Sequence, residues 1–253
     1  MRRLALAALL ALAAVPAAAE VVSTETTGPS PRWGAFQLSF ATLEPNIDSG
    51  TFSGGLTNTP YATVFGTSRP LLTQILFSRS AWMTEVGTLD VGLGIGYWQA
   101  NGKGIAVTSS GTVTGGSTSL VILPLQLAAG YRFDIFYDQW GVPFEPYARI
   151  ALVNDIWWTS GQNGISSYTN PNTGQSSRGQ GSTYGWAGTL GLALVLDALD
   201  PTMARQMDFD TGINHTMLFF DFTKGSVNDF GSNSSWQLAP SYWMWSAGIL
   251  FVF

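Results

Sequence analysis

The most constraining feature of the sequence is a repeated two-residue alternation between large apolar residues and small or polar ones. Between residues 88 and 97 every second residue is large and apolar, namely Leu89, Val91, Leu93, Ile95 and Tyr97. Successive side chains of a β-strand point to opposite faces, so this period predicts strands rather than helices. The pattern recurs in residues 36–40, 121–134, 189–197 and 216–222, and more weakly in 71–81 and 142–158.

The composition of the two faces predicts the solvent around the strands. One face is large and apolar, whereas the other is mostly Gly, Ala, Ser and isolated charges. Charged residues make up only 11% of the chain, against about 25% in a typical soluble domain. Apolar-out and polar-in strands are typical of transmembrane barrels, and closure pairs every backbone group in hydrocarbon. The sequence therefore predicts an all-β fold, a single eight-stranded antiparallel transmembrane β-barrel.

The predicted strands alternate with connectors of two kinds. An even number of strands puts both termini on the periplasmic side, so long outer loops should alternate with short periplasmic turns. The predicted outer loops are 43–70, 99–118, 159–181 and 225–240, and the predicted turns are 82–83, 135–141 and 198–212. The eight strands are expected at 33–42, 71–81, 84–98, 119–134, 142–158, 182–197, 213–224 and 241–253.

The C-terminal strand carries a more specific signal. Its outward face is formed by Trp245, Ala247, Ile249, Phe251 and Phe253. A terminal strand that ends in Phe resembles the assembly signal of bacterial outer-membrane barrels, which implies the barrel-assembly machinery as a partner during biogenesis. The alternative is an ordinary apolar edge strand, which would be prone to aggregation unless it paired with the first strand.

The N-terminal segment has the pattern of a cleaved signal peptide. Arg2 and Arg3 precede an apolar stretch, Pro16 interrupts it, and Ala17 and Ala19 supply small residues before the predicted cut. The stretch is shorter than the roughly 20 residues of a spanning helix. The predicted division is a signal peptide at 1–19 and an outer-membrane barrel at 20–253.

Charge and cysteine content narrow the possible partners. Loss of the two signal-peptide arginines changes the net charge from −5 to −7, which disfavours nucleic acid because phosphate binding needs a basic surface. The chain has no Cys, so neither disulfides nor thiolate metal sites are expected. No metal site or cofactor is predicted, and the expected partners are outer-membrane lipid and an extracellular partner of the outer loops.

Strand parity predicts a set of charged residues inside the barrel. A barrel of eight strands is just filled by side chains, so two arginines among several carboxylates should form paired networks. One interpretation is a salt-bridged core without a continuous pore, and the other is a narrow polar pathway lined by the arginines. The predicted lumen-facing charges are Asp90, Arg132, Glu145, Arg149, Asp155 and Asp221.

Two further residues are predicted at the periplasmic rim. His215 is the single histidine, and parity turns it toward the lumen, where it could bond to the 198–212 connector. Catalysis would require a nucleophilic serine beside it, and none is near in sequence. Asp200 precedes Pro201 as a helix N-cap would, so residues 202–207 form either a short helix, which could plug the barrel, or a plain capped turn.

Tryptophans fall near the predicted strand ends, where aromatic belts meet the two membrane surfaces. Trp33, Trp82 and Trp140 are expected at the periplasmic surface. The outer belt is expected to contain Trp98, Trp157, Trp158 and Trp236.

The whole predicted mature chain resembles the small eight-stranded outer-membrane barrels, such as the OmpA membrane domain and the OmpW-like group. More narrowly, the run from Leu199 to Asp221 looks like a motif of an uncharacterised myxobacterial outer-membrane barrel family. The resemblance implies a non-enzymatic barrel that stabilises the envelope or passes small, apolar solutes. The alternatives are a surface interaction protein that acts through its outer loops and, more distantly, a lipid-modifying barrel enzyme.

Overall fold

The computed structural model describes residues 30–49, 59–108, 111–162, 164–169, 174, 176–232 and 235–253. The predicted signal peptide at 1–19 lies outside the described residues. Each of eight antiparallel strands pairs with the next, and the last pairs with the first, so the sheet is closed. This confirms the predicted fold class. The strands are β1 (Gly34–Thr42), β2 (Leu71–Met83), β3 (Thr88–Thr108), β4 (Gly111–Arg132), β5 (Phe144–Gly161), β6 (Gln180–Val195), β7 (His215–Val227) and β8 (Met244–Val252).

Short helices lie in the connectors at both ends of the barrel. On the outer side are a 3-10 turn, Ile47–Ser49, and helix α1 (Pro60–Phe65). On the periplasmic side are α2 (Ile135–Asp138), a 3-10 turn at Leu196–Ala198 and α3 (Pro201–Thr211). No helix in the described part of the chain is both long and apolar enough to cross a membrane.

The outer surface of the barrel is apolar. Large side chains alternate outward on every strand and remain exposed, as at Ile150, which is 71% accessible. Such a surface is costly in water and suited to hydrocarbon, and closure leaves no unpaired strand edge in the spanning region. The chain is therefore an outer-membrane β-barrel. The exposed residues include Phe40, Phe77, Leu93, Leu127, Leu152, Leu190, Phe220 and Trp245.

The C-terminal residues complete the ring. β8 pairs with β1 from Ala35↔Val252 to Ala41↔Ser246. The backbone of Phe253 continues the pairing, because its N–H donates to the Gly34 carbonyl at 2.9 Å. Its ring lies 5.6 Å from that of Trp33. Phe253 thus belongs to the seam that closes the barrel.

Two predicted connectors near β3 are wrong in their bounds. The turn predicted at 82–83 is occupied by β2, and the chain reverses at residues 84–87, where the Thr84 hydroxyl accepts from the Gly87 N–H at 3.1 Å. The predicted loop 99–118 is mostly strand, because β3 and β4 run on as a long hairpin. This ribbon is rich in Gly, Ser and Thr, so its sequence shows no sustained apolar alternation that would predict strands.

The other connectors also differ in detail from the prediction. β5 and β6 extend into the predicted loop 159–181, which also contains a small hairpin of Ser167–Thr169 and Ser176–Arg178. The periplasmic connector contains an 11-residue helix, α3, longer than the predicted 202–207. The Asp200 carboxylate accepts from the backbone N–H groups of Thr202 and Met203 at 3.1 and 3.0 Å, so the chain is capped where the sequence predicted.

The predicted outer aromatic belt requires correction. Trp33, Trp82 and Trp140 are exposed, as a membrane-surface ring would be. Trp98 instead is fully buried in the lumen, where its indole donates to the Leu43 carbonyl at 3.1 Å. The Trp157 and Trp236 rings stack on each other at 4.4 Å. The belt prediction used position along the strand and ignored parity, which turns Trp98 and Trp157 inward.

Glycines on the inner face make room for large lumenal side chains. A Cβ on Gly191 would overlap the ring of Tyr147 on the neighbouring strand. At the outward-facing Gly188, by contrast, the nearest atoms to such a Cβ are 3.9 Å away.

Gly191→Ala is therefore expected to displace Tyr147 and to lower the free energy of unfolding by about 1–3 kcal/mol, as overpacking does. Gly188→Ala is the matched control and should change little. Urea unfolding of the refolded barrels, followed by tryptophan fluorescence, measures both. Equal unfolding of the two variants would contradict the packing of Tyr147 over Gly191.

Candidate functional site

Strand parity brings the predicted charged residues together in the lumen. The inward positions are even-numbered on β3 and β4 and odd-numbered on β5, β6 and β7, as the burial patterns show. Glu145 and Asp221 are the most enclosed, at 1% and 2% exposure. All six predicted charges lie on these inward faces, namely Asp90, Arg132, Glu145, Arg149, Asp155 and Asp221.

Arg149 forms the centre of a network that crosses the lumen. Its guanidinium donates to Gln37 Oε1 on β1 at 2.8 Å and to Asp221 Oδ2 on β7 at 3.3 Å. Asp221 also accepts from the Tyr147 hydroxyl at 3.0 Å and from the Ser246 hydroxyl. Four strands are tied together by these contacts, so the network braces the barrel and fills its middle.

A second ion pair lies nearer the periplasmic end. Arg132 Nε donates to Asp90 Oδ2 at 2.8 Å, and both side chains are nearly inaccessible. Asp90 Oδ1 also accepts from the Ser80 hydroxyl at 3.0 Å. We call the pairs Arg132–Asp90 and Arg149–Asp221, with their partners, the lumenal charge network.

The two described cavities beside this network are water-sized. Two cavities of about 40 Å³ each are described in the lumen, and Gln37, Leu76 and Arg149 line both. A cavity of this size has room for one or a few waters. The cavities therefore do not provide a passage for a solute at the level of Arg149.

Two lumenal carboxylates are left out of the network. Both oxygens of Glu145 are buried without a hydrogen-bond partner, and so is Oδ1 of Asp155. Glu145 lies in a charged neighbourhood with Arg132 and Asp134, which also each have a buried unpaired atom. Parity places Glu145 and Asp155 in the lumen, but it gives no information on whether a partner is within reach.

The periplasmic rim holds His215 in a structural position. Its Nδ1 lies 2.6 Å from Asp197 Oδ2, one residue before the predicted connector, and its ring packs edge-on against Tyr137. The other oxygen of Asp197 accepts from the Thr216 N–H at 3.1 Å. Within the described ranges, no serine hydroxyl is bonded to the ring, and His215 Nε2 has no partner. The arrangement anchors the start of β7.

The residues just before β1 cross the periplasmic mouth as a strap. Arg32 donates to both carboxylate oxygens of Asp138 on α2, at 2.7 and 2.9 Å. Ser30 contacts Asp208 of α3, and Asn214 Nδ2 donates to the Ser30 carbonyl at 2.7 Å. Partial burial raises the pKa of Asp138, but hydrogen bonding and the charge of Arg32 outweigh it, so the pKa lies below 3.8. The pair is therefore intact at neutral pH and is lost only in strong acid.

The outer half of the lumen is apolar. Ala151 and Met244 line the upper small cavity and also belong to a buried cluster that continues outward through Trp98, Leu120 and Leu238. Above the charge network, the barrel is thus filled mostly by apolar side chains, with Asp155 and Thr183 as buried polar exceptions.

A larger cavity lies at the outer end of this cluster, and we call it the outer chamber. Its volume is about 220 Å³, and none of its lining residues lines the two small cavities. Most of its wall is apolar, including Ile47, Tyr61, Val64, Phe65, Leu120 and Trp236.

Helix α1 positions one wall of the outer chamber. Asp48 accepts from the backbone N–H groups of Tyr61 and Ala62, at 2.6 and 3.0 Å, and Pro60 occupies the first helical turn. Burial raises the pKa of Tyr61 to about 12, so its hydroxyl stays neutral and donates to the Ser68 carbonyl at 3.0 Å. The chamber could not be predicted from the sequence, because residues 43–70 show no strand period; Thr59 followed by Pro60 is a recognisable helix-start signal, whereas the contact from Asp48 is tertiary.

Metal ligation finds no support at these positions. Across the part of the chain that the structure describes, no group of three or more His, Cys, Asp or Glu side chains is placed to hold an ion.

The chain is similar in shape to solved outer-membrane proteins. Neisserial surface protein A is 13% identical, with 89% of this chain and 99% of that one covered and a TM-score of 0.45. OprG from Pseudomonas aeruginosa is 14% identical, with 90% and 99% covered and a TM-score of 0.45. Ail of Yersinia pestis, the attachment invasion locus protein, is 10% identical, with 88% and 97% covered and a TM-score of 0.37. No protein-family model and no curated protein matches the sequence.

The two ion-pair environments predict different responses to substitution. Arg149→Met leaves Asp221 buried without its cation, which is expected to lower the free energy of unfolding by about 3–5 kcal/mol. Adding Asp221→Asn should recover much of this loss, because the uncompensated charge is removed. Urea unfolding of the single and double variants measures the coupling.

Arg69→Met is the matched control, because Arg69 is exposed and pairs with Glu44 at 2.8 Å on the outer surface. A pair in water contributes little, so this variant should unfold like the parent. If Arg149→Met were as stable as Arg69→Met, the lumenal charge network would not brace the barrel.

Proposed function

We propose that the protein is a non-enzymatic outer-membrane barrel that is closed to water along its axis and takes up a small apolar molecule in its outer chamber. The observation that carries the proposal is the apolar chamber above a blocked lumen. The chamber and the two small cavities share no lining residue.

The closed axis rests on two layers with different chemistry. A hydrated solute that crossed the barrel would have to separate Arg149 from Asp221, and breaking a buried pair costs several kcal/mol. It would also have to pass the apolar cluster around Trp98 and Leu120, both of which are at most 1% exposed. An open aqueous channel is therefore not the function that this interior favours.

The size and lining of the outer chamber indicate the class of ligand. An apolar cavity of about 150 Å³ can bind benzene, whereas drug-sized ligands occupy roughly 300–1,000 Å³. At about 220 Å³, the outer chamber suits a single ring or a short alkyl chain. The barrel would also stabilise the envelope, because the lumenal charge network holds the strands together whether or not the chamber is filled.

Two features support the non-enzymatic part of the proposal. The His215 ring is bonded to Asp197 and packed against Tyr137 at the periplasmic rim. The outer chamber lies at the opposite end of the barrel, so the single imidazole and the chamber do not form one site. The narrower kinship with OmpW-like and myxobacterial barrels is also a proposal, and it rests on the sequence run 199–221.

The refolded protein is expected to bind n-hexanol in the outer chamber. Val64→Trp places a large ring in the chamber from α1, which should reduce hexanol affinity at least about tenfold, because apolar burial contributes about 0.8 kcal/mol per CH₂. Ala62→Trp is the matched control, since Ala62 is exposed on the same helix. Titration calorimetry in non-ionic detergent measures the three affinities.

The same preparation should give no stable conductance steps when inserted in a planar bilayer. Reproducible openings would show a water-filled axis and overturn the closed-lumen proposal. Hexanol binding that is equal in the parent and both variants would place the ligand outside the chamber.

A second candidate function, surface interaction, is favoured by the long hairpin of β3 and β4. β2 pairs with β3 only as far as Leu72↔Trp98, and β5 pairs with β4 only as far as Ser119↔Ser160. Beyond these pairs, no described strand pairs with the outer edges of the hairpin, which contact α1 at Gly102 and Gln162 at Gly116. Free edges pair readily with another strand, and we propose a second copy of the chain on a neighbouring cell as the partner.

Replacing residues 105–114 by an Asn-Gly turn joins Gly104 to Gly115, which already lie side by side. Cells that display the full-length protein should settle faster than cells that display the shortened barrel. Heat-modifiable mobility of both proteins on gels checks that they fold. Equal settling with equal folded amounts would remove this candidate.

A further inference from the structure

Asp155 is a buried carboxylate in an apolar part of the lumen. It is 6% exposed, on the inner face of β5 between Val153 and Trp157. Its neighbours across the sheet are Pro124 on β4 and Thr183 on β6. Neither neighbour carries a charge.

No described residue provides Asp155 with a partner. Its Oδ1 is fully buried and makes no hydrogen bond. Arg149 on the same strand is six residues away, which is about 20 Å at 3.3 Å per residue, and it is already bonded to Gln37 and Asp221. An unpaired buried charge is strongly unfavourable, so the fold leaves an acceptor here that its own cations do not fill.

Two tryptophans lie between Asp155 and the outer chamber. Trp157 follows Asp155 by two residues on the same face, roughly 7 Å along the strand, and its indole donates to Thr183 Oγ1 at 3.1 Å. Its ring stacks on Trp236, which lines the outer chamber. Trp236 lies in the connector between β7 and β8.

A buried carboxylate near aromatic side chains is suited to a cation with an apolar body. Aromatic rings attract organic cations through their faces, and a carboxylate forms charge-assisted hydrogen bonds with an ammonium group. We propose that Asp155 is the head-group site of the outer chamber, and that the ligand is a small alkyl or aryl amine whose apolar part fills the chamber. This inference rests on the proposed function of the chamber.

The test compares n-hexylamine with n-hexanol, which has a similar apolar body without the charge. An alkylamine is protonated at pH 7, as lysine is with its pKa near 10.4. In the parent protein, hexylamine should bind about tenfold more tightly than hexanol, since hydrogen bonds to charged groups are the stronger ones. Asp155→Asn should remove this advantage and leave hexanol binding unchanged.

Asp210→Asn is the matched control, because it removes the same charge from the exposed face of α3 at the opposite end of the barrel. Heat-modifiable mobility shows that each variant folds.

The outcomes separate the two proposals. If hexanol binds but hexylamine binds no more tightly, or binds Asp155→Asn equally well, the head-group site is wrong and the apolar chamber stands. If neither probe binds, both proposals fail. If only hexylamine binds, and only when Asp155 is present, the site is supported and uptake of neutral molecules is not.

Discussion

The pairing of β8 with β1 is the constraint on which the rest of the molecule depends. Without it, both strands would present a row of unpaired backbone groups to hydrocarbon, where each unpaired group costs several kcal/mol. The seam runs from Ala35↔Val252 to Ala41↔Ser246, and Trp33 and Phe253 extend it at the periplasmic end. Closure with eight strands fixes a narrow lumen, and the narrow lumen decides which side chains can occupy it.

In a narrow lumen, each charged side chain needs a partner, and each bulky side chain needs a small residue opposite it. Arg149 on β5 donates hydrogen bonds to Gln37 on β1 and to Asp221 on β7, so it connects three strands. Where Tyr147 crosses to Asp221, the facing Gly191 has no side chain to obstruct the ring. The small residues of the inner face therefore follow from the large ones opposite them. In the outer half, the same space is filled by Trp98 and its apolar neighbours, so the interior changes from polar to apolar along the axis.

The sequence predicted the barrel because alternation is strongest where one face meets lipid and the other meets the lumen. The same physics explains the errors. Most of the ribbon of residues 99–118 is Gly, Ser and Thr, so it is strand without a sustained apolar alternation. The position of Trp98 near a strand end predicts the membrane surface, but even-numbered residues of β3 face the lumen, and Trp98 is buried there. The outer chamber could not be predicted from the sequence, because α1 and Trp236 belong to connectors, and the packing of connectors leaves no periodic pattern.

The two unpartnered carboxylates show that strand parity predicts which side chains point into the lumen but not which of them have a partner there. Parity predicts that Glu145 and Asp155 point into the lumen, and both are buried there. Glu145, however, lies at the periplasmic end, where Arg132 and Arg32 contribute positive charge to its surroundings. Asp155 lies in the apolar half, and a cation cannot be drawn to it from Arg149 at about 20 Å along the strand. Because a buried carboxylate without a nearby cation destabilises the fold, Asp155 is a position that stability alone would replace with an apolar residue. Its position two residues from Trp157, which stacks on Trp236, is the observation on which the proposed head-group site rests.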